Sequence, residues 1–517
     1  MLDQASNPFA WENDQIKNFR CKHMPNIEFI KNNSISLKNH HISSAACVPS
    51  RATLFTGVNS NKTMVHNTDG VAKTTRELSW LDPNRTPTLG NILVDSGKYD
   101  PTSVIYIGKH HLKDTILLDE QNIPIETIDL EGNLNGNLQK YLERNMLEDL
   151  GFTWLSGPDP HGVSIKNSGF LVDNGFTKIA IDWLKEREPN PNPFVMTLSL
   201  VEPHDLVYFP DVCRFWGKRI PIDKKINLED IPVSLSDDQD ISDLPMAYQN
   251  WVNRYDSYFV KQNPKLYRQF YYYLLTIADN NLGTFFDYFK TSCHADNTII
   301  IFTSDHGDLC GTHGNGYQKW YSPFEEITNV FCHFMKFLNK KPCWYGEIDK
   351  LTSHIDICPT ICAELGIIYD KFDGKNIFDK NKNNNDNAIT CYIRDHITMG
   401  NNLVKFPFRL FPLFMIDANV ERRFVPVDQN SDGTIIWPEY SLSIVWKEMN
   451  QILYKLVIYH RPDVCMVDQK FDKDTLTELI DKKLILLYDL TNDRCECQNI
   501  IKENLHIAIE ISSEFKK

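Results

Sequence analysis

No apolar run in the 517-residue sequence approaches the eighteen or so residues that a membrane-spanning helix requires, so no membrane partner is expected. The start, Met1-Leu2-Asp3-Gln4-Ala5-Ser6-Asn7-Pro8, lacks both a basic stretch and an apolar core. No signal peptide is therefore visible, and a cytoplasmic location is expected. Positive charge is scarce: 54 Lys and Arg stand against 68 Asp and Glu, a net charge of −14. That balance argues against nucleic-acid binding by phosphate neutralisation. Internal repeats are absent. Paired cysteines are absent as well, because the 13 cysteines are odd in number and irregularly spaced, which fits reduced thiols better than a disulfide framework. Cys495-Glu496-Cys497 is too closely spaced for a zinc knuckle and has no second pair nearby.

What the chain does contain is an ordinary globular composition, 42% apolar and 24% charged, in a length that suggests one large domain and one smaller. Three short apolar runs read as strands: 103–107, 194–201 and 298–303. Helical periodicity precedes the last two, over 176–185 and 266–289, the second with an aromatic stripe that reads as core. Continuous apolar strands alternating with helices predict an α/β fold built on a buried, mostly parallel or mixed sheet. Each run stops at a polar cluster: Lys109-His110-His111, His204-Asp205 and Asp305-His306. Ligands of open α/β sheets gather beyond such strand ends. The Asn-rich stretch 381–387 reads as a surface linker between a region 1–380 and a region 388–517. In the latter, 388–393, 442–447, 453–460 and 484–488 look like strands, with a final helix from about residue 499.

The most informative segment is Cys47-Val48-Pro49-Ser50-Arg51-Ala52-Thr53-Leu54-Phe55-Thr56-Gly57. Pro49 suits the first turn of a helix, where a missing N–H costs nothing. A cysteine just ahead of that turn faces unsatisfied amides and the positive end of the dipole, and Arg51 adds a cation. From the residues alone two readings stand side by side: an inert buried cysteine and a reactive site.

This segment resembles the signature of the type I sulfatases, members of the alkaline phosphatase superfamily, in which Cys-x-Pro-x-Arg directs oxidation of the cysteine to formylglycine (3-oxoalanine). The resemblance implies a sulfuric ester hydrolase whose nucleophile is the hydrated aldehyde at position 47. It also implies an α/β domain whose large sheet is sandwiched by helices, followed by a small C-terminal antiparallel sheet with a helix. Ser304-Asp305-His306-Gly307-Asp308 looks like the family's metal pair, with Asp305 and His306 as ligands. Leu2-Asp3-Gln4 resembles the end of the family's first strand, nearly all of which is missing from this sequence. On that reading Asp3 is a metal ligand and Gln4 lies at the substrate. Gly108-Lys109-His110-His111 resembles the family's Gly-Lys-x-His, so Lys109 would neutralise a sulfate oxygen and His111 would orient or deprotonate the hydrate. His204 and Lys319 match the family's later histidine and lysine, at the ester and leaving oxygens. Asn67 falls where an amide would bond the sulfate. Glu202, Asp205, Asp308, His313 and Glu325 are expected to stand behind these groups.

The metal implied is Ca²⁺, with Mg²⁺ or Mn²⁺ as alternatives, held by Asp3, Asp305, His306 and the side chain at 47. The partners implied are a small-molecule or glycan sulfate ester and a formylglycine-generating enzyme. Two other readings stay open. The Asp-His pair is similar to that of choline sulfatases and phosphonate monoester hydrolases, which keeps a phosphonate monoester or phosphodiester hydrolase in view. The missing first strand keeps a catalytically impaired binding protein in view.

Overall fold

The computed structural model describes residues 1–8, 14–68, 78–121, 123–129, 134–160, 168–189, 192–209, 226–259, 264–379, 388–394, 428–429, 435–436, 441–461, 469 and 471–516. The expected linker 381–387 lies outside the described residues. Two strand systems form the centre of the fold. In the first, β2 (Val104–Gly108) runs parallel between β3 (Thr153–Trp154) and β4 (Val195–Ser199). In the second, the order is β5 (Asn297–Thr303), β6 (Cys332–Leu338), β1 (Ile35–His41) and β8 (Gly346–Ser353), with the short β7 (Lys341–Pro342) beside β6. Here β6 is antiparallel to both β5 and β1, while β1 and β8 are parallel, so the sheet is mixed.

Residues Met1 and Leu2 lace the two systems together. The Met1 amine donates to Leu198 O at 2.6 Å, and Met1 O accepts from Leu200 N at 3.0 Å. Leu2 N donates to Thr303 O at 3.0 Å, and Leu2 pairs with Ser304 in a parallel bridge. Asp3 is thereby set at the same level as the residues that follow β4 and β5. Away from this lacing, no described strand runs between β4 and β5, and Val195–Leu198 and Thr298–Ile301 are only half-buried. That corrects the expectation of full burial for these two runs. The third run, β2, is buried on both faces, with Ile105 and Ile107 in one core and Val104 and Tyr106 in another.

Helices α1 (Asp14–His23), α2 (Pro25–Asn32), α4 (Gly169–Glu186) and α5 (Pro264–Phe289) contribute to the same core as Ile105 and Phe302. The α5 stripe of Tyr267, Phe270, Leu274, Phe286 and Phe289 is buried there, as its periodicity requires. Among the described residues no helix is long and apolar enough to cross a membrane.

The C-terminal sheet has the order β12 (Ile485–Asp489), β11 (Ile452–His460), β10 (Ser441–Met449), β9 (Ala388–Ile393), and every pairing is antiparallel. Period-two alternation gives it two apolar faces. Ile444, Trp446, Val457, Tyr459, Leu486 and Tyr488 enter the central core. Val445, Leu456, Ile458, Ile485 and Leu487 instead pack on Ala508 and Ile511 of α6 (Leu505–Ser512), which starts later than its expected position.

Candidate active site

Five chain segments converge beyond the carboxyl ends of β2, β4 and β5, the place that an open α/β topology favours. Cys47 is the first residue of α3 (Cys47–Thr56), inside the helix and not ahead of it, after Ala46 in a left-handed-side conformation at φ 74°. Pro49 occupies the first turn, and Gly57 at φ 67° ends the helix in the αL conformation. Every residue of α3 is buried.

One ligand atom from each of Asp3, Cys47, Asp305 and His306 lies within 4.8 Å of the others, and all four residues are buried. Cys47 Sγ is 3.2 Å from His306 Nε2 and 3.8 Å from Asp3 Oδ1. His306 Nδ1 donates to Gly307 O at 2.9 Å, which leaves the Nε2 lone pair facing the cluster. A metal-ligating imidazole is oriented in just this way by its second nitrogen. The donor set of two carboxylates, one imidazole and one group at position 47 fits a divalent cation. Gly307 is required here, since a Cβ at this position would lie 1.9 Å from Glu326 O.

Arg51 binds the two acidic ligands together. Its Nε donates to Asp305 Oδ2 at 2.8 Å and its Nη2 to Asp3 Oδ2 at 3.0 Å, while Nη1 donates to Lys109 O and Ser199 Oγ at 2.6 and 3.0 Å. All three of its nitrogens are thus bonded to protein groups, and the guanidinium bridges the Asp3 and Asp305 carboxylates. Lys109 Nζ lies 2.6 Å from Asp3 Oδ2 and 4.0 Å from Cys47 Sγ. Lys319 Nζ lies 3.0 Å from His306 Nε2, 3.4 Å from Cys47 Sγ and 3.4 Å from Gln4 Oε1. Two buried ammonium groups thus flank residue 47.

The electrostatics follow from this crowding. Burial alone would raise Asp3, but the Lys109 and Arg51 charges outweigh it and hold the carboxyl well below its usual range. Burial, with Asp3 next to it, pushes the Cys47 thiol up to about 11. A thiol held protonated is a poor nucleophile. Burial and the Lys319 charge lower His306 to about 4, and burial and Lys109 lower His204 to about 3. His204 is therefore neutral near pH 7 and can exchange hydrogen bonds.

Of the remaining expected residues, Gln4 is in the cluster. Its backbone N–H donates to Asp305 Oδ1 at 3.0 Å, and its Nε2 donates to Asp308 Oδ2 at 2.6 Å and Gln318 Oε1 at 3.1 Å. These bonds make it a tether between Asp305 and Lys319. The described bonds of His111 run elsewhere: Nε2 lies 3.1 Å from Pro160 O, and its N–H donates to Asp159 Oδ2 at 3.0 Å. Asn67 is half-buried, with Oδ1 lacking a partner, and no described bond joins it to the cluster. Glu202 and Asp205 are buried beside His204; burial and the nearby Asp205 charge raise Glu202, while burial alone raises Asp205, to about 6.

Three supporting groups went unread in the sequence. Tyr267 donates to Asp308, Gln318 accepts from Gln4, and Ser50 Oγ donates to Asp305 O at 2.5 Å. Only the adjacency of Gln318 to Lys319 hinted at any of them. Behind Lys319, Glu325 is clasped from the C-terminal sheet: Oε1 accepts from Lys455 Nζ and Trp446 Nε1, both at 3.0 Å, and Oε2 lies 3.0 Å from His41 Nε2. Burial would raise Glu325, but His41 and Lys455 hold it well below its usual range.

A buried cysteine opening a helix, two carboxylates and an imidazole around it, and two lysines at its flanks define a sulfatase-type centre. Residues 1–367 match the Sulfatase family model, and the chain belongs to that family. It is 25% identical over 362 residues to the uncharacterized sulfatase YidJ of Escherichia coli, a match covering 65% of this chain and 62% of that protein. The match thus spans under two thirds of that relative's length. The fold is similar to that of BT1596, a 2-O GAG sulfatase, with a TM-score of 0.61 and 17% identity over 99% of this chain and 89% of the other. It is also similar to the phosphonate monoester hydrolase of Agrobacterium radiobacter, with a TM-score of 0.55 and 17% identity over 100% and 94% of the two chains.

Proposed function

We propose that the protein hydrolyses a sulfate monoester, with the side chain at position 47 acting as formylglycine after oxidation of Cys47. The observation that carries this reading is the single buried cluster of Asp3, Cys47, Asp305 and His306 flanked by Lys109 and Lys319. Asp3, Asp305, His306 and the side chain at 47 would hold the divalent cation, with Ca²⁺ favoured by the hard oxygen donors and Mg²⁺ or Mn²⁺ as alternatives. Such a cation supplies fixed positive charge for the oxygens of an anionic ester. Formylglycine supplies a hydrated aldehyde, and hence a hydroxyl nucleophile, where the thiol would stay protonated.

The protein's own residues do the rest. Arg51 locks the two carboxylates in place, so the cation's cradle exists before it binds. Lys109 and Lys319 stand on either side of residue 47, where the charge of the transferring group and of the leaving oxygen develops. Lys319, held by Gln4 and His306, is the group placed to give the leaving oxygen a proton. His204, neutral near pH 7, orients the ester by hydrogen bonding. The substrate class is a sulfate ester of a small alcohol or a glycan; the fold's likeness to a 2-O GAG sulfatase supports the glycan branch.

Mass spectrometry of the peptide around position 47, on protein from its native host, tests the reading. Replacement of the sulfur by an aldehyde oxygen supports it, and an unmodified thiol overturns the covalent route. Rates on aryl sulfates against aryl phosphonate esters separate the sulfatase from the phosphonate hydrolase, and Cys47→Ala abolishes whichever activity is present.

A further inference from the structure

A second set of potential ligands lies far from this centre. Glu188, Cys293 and His294 offer three donor atoms that all lie within 4.8 Å of one another. Glu188 follows the end of α4, and Cys293 and His294 open the 3₁₀ turn Cys293–Asp296 that leads into β5. The strand β5 then runs seven residues to the active centre, which at about 3.3 Å per residue puts roughly 20 Å between the two sets. This group therefore sits at the amino end of β5, and the sulfatase-type cluster lies beyond its carboxyl end.

We propose that Glu188, Cys293 and His294 form a structural site for a divalent transition metal, zinc by the chemistry of its donors, with water completing the coordination. One thiolate, one imidazole and one carboxylate suit zinc and are a poor set for calcium or magnesium. Three neighbouring groups already prepare the donors. His294 Nε2–H donates to Leu184 O at 2.8 Å, which fixes the tautomer and leaves Nδ1 as the available lone pair. Phe194 meets the same imidazole edge-on at 5.4 Å and 88°, which limits its rotation. On the other side Tyr288 OH donates to Glu188 Oε1 at 2.9 Å, so one carboxylate oxygen is oriented and the other is available. Cys293 is a free cysteine, half-buried, and Glu188 is exposed, so an ion and a water have access from solvent. Binding would replace the Cys293 thiol proton, released to solvent, by a sulfur–metal bond. The ion would then tie the end of α4, the end of α5 through Tyr288, and the entry of β5 into one unit. None of this depends on the catalytic reading of residue 47.

The test uses the full-length protein carrying Cys47→Ala, so that among the described residues Cys293 is the one thiol left in a carboxylate–imidazole set. The protein is stripped with chelator and titrated with Co²⁺. The expected result is a near-ultraviolet sulfur-to-cobalt band that saturates at one equivalent, is displaced by Zn²⁺, and disappears on adding Cys293→Ala or His294→Ala. Zn²⁺ should raise the melting temperature of the Cys47→Ala protein by more than that of the double variant, in which Asp3, Asp305 and His306 are unchanged. Alkylation of Cys293, followed by peptide mass spectrometry, needs no substitution at this site and should slow at least tenfold with Zn²⁺ present. Absence of the band in Cys47→Ala, its survival in the Cys293→Ala double variant, or alkylation indifferent to Zn²⁺ would overturn the proposal.

Discussion

The Lys109 ammonium lies 2.6 Å from Asp3 Oδ2, and both side chains are fully buried. A cation entering the cluster competes with this lysine for the same carboxylate. Lys109→Ala should therefore tighten divalent-cation binding, measured by calorimetric titration, while lowering kcat/KM on a sulfate ester by about 100-fold or more through loss of a preorganised charge. Weaker cation binding in the variant would show that Lys109 supports the cradle instead of competing for it.

Buried histidines outside the cluster set an acid limit. Burial holds His333 near 3 and His354 near 4, and lowers His40 as well, against 6.5 in the unfolded chain. Between those values the unfolded chain binds protons that the native protein does not, so stability is full above about pH 6.5 and falls as pH drops towards 4 and then 3. Urea denaturation midpoints across pH 4 to 7 should decline on the acid side. His333→Gln, which keeps a polar partner for Ser36 Oγ at 2.9 Å, should flatten part of that decline.

Lys455 is buried against Glu325 at 3.0 Å and Glu496 at 2.8 Å. Lys455→Met keeps the volume and strands buried acidic groups, at a cost of about 3–5 kcal/mol. Chemical denaturation checks the magnitude, and a loss below about 1 kcal/mol would mean that the carboxyls simply take up protons.

Gly108 and Gly307, next to the cluster in sequence, admit no side chain. A Cβ at Gly108, where φ is +92°, would lie 2.0 Å from Ser199 O, and one at Gly307 1.9 Å from Glu326 O. Gly108→Ala and Gly307→Ala should each forfeit folded protein or activity. Gly97→Ala, at φ +68° with nothing within 4 Å, should cost only about 1–2 kcal/mol in thermal denaturation.

The parts of this molecule that sequence reveals are those encoded locally. Cys47 to Gly57 is one continuous pattern, and Asp305-His306 sits directly after an apolar strand. The β2 run and the α5 stripe announce themselves because burial on both faces, or along one helical face, leaves a regular imprint. Strands β1 and β8 leave none: ISLKNHH and GEIDKLTS are too polar to read as strands, yet they pair with each other along most of their length. The direction of Arg51 was equally hidden. That it faces Asp3 and Asp305 depends on partners 48 and 254 residues away. The Gln4–Asp308 bond spans 304 residues and has no local signature.

The clasp on Glu325 also places the centre in time. Lys455 is made 130 residues after Glu325, a delay of roughly 7–26 seconds at roughly 5–20 residues per second. Until it arrives, the turn behind Lys319 carries a buried-to-be carboxylate with neither its lysine nor its tryptophan. The surroundings of Glu325 are thus completed only once the C-terminal sheet has been synthesised.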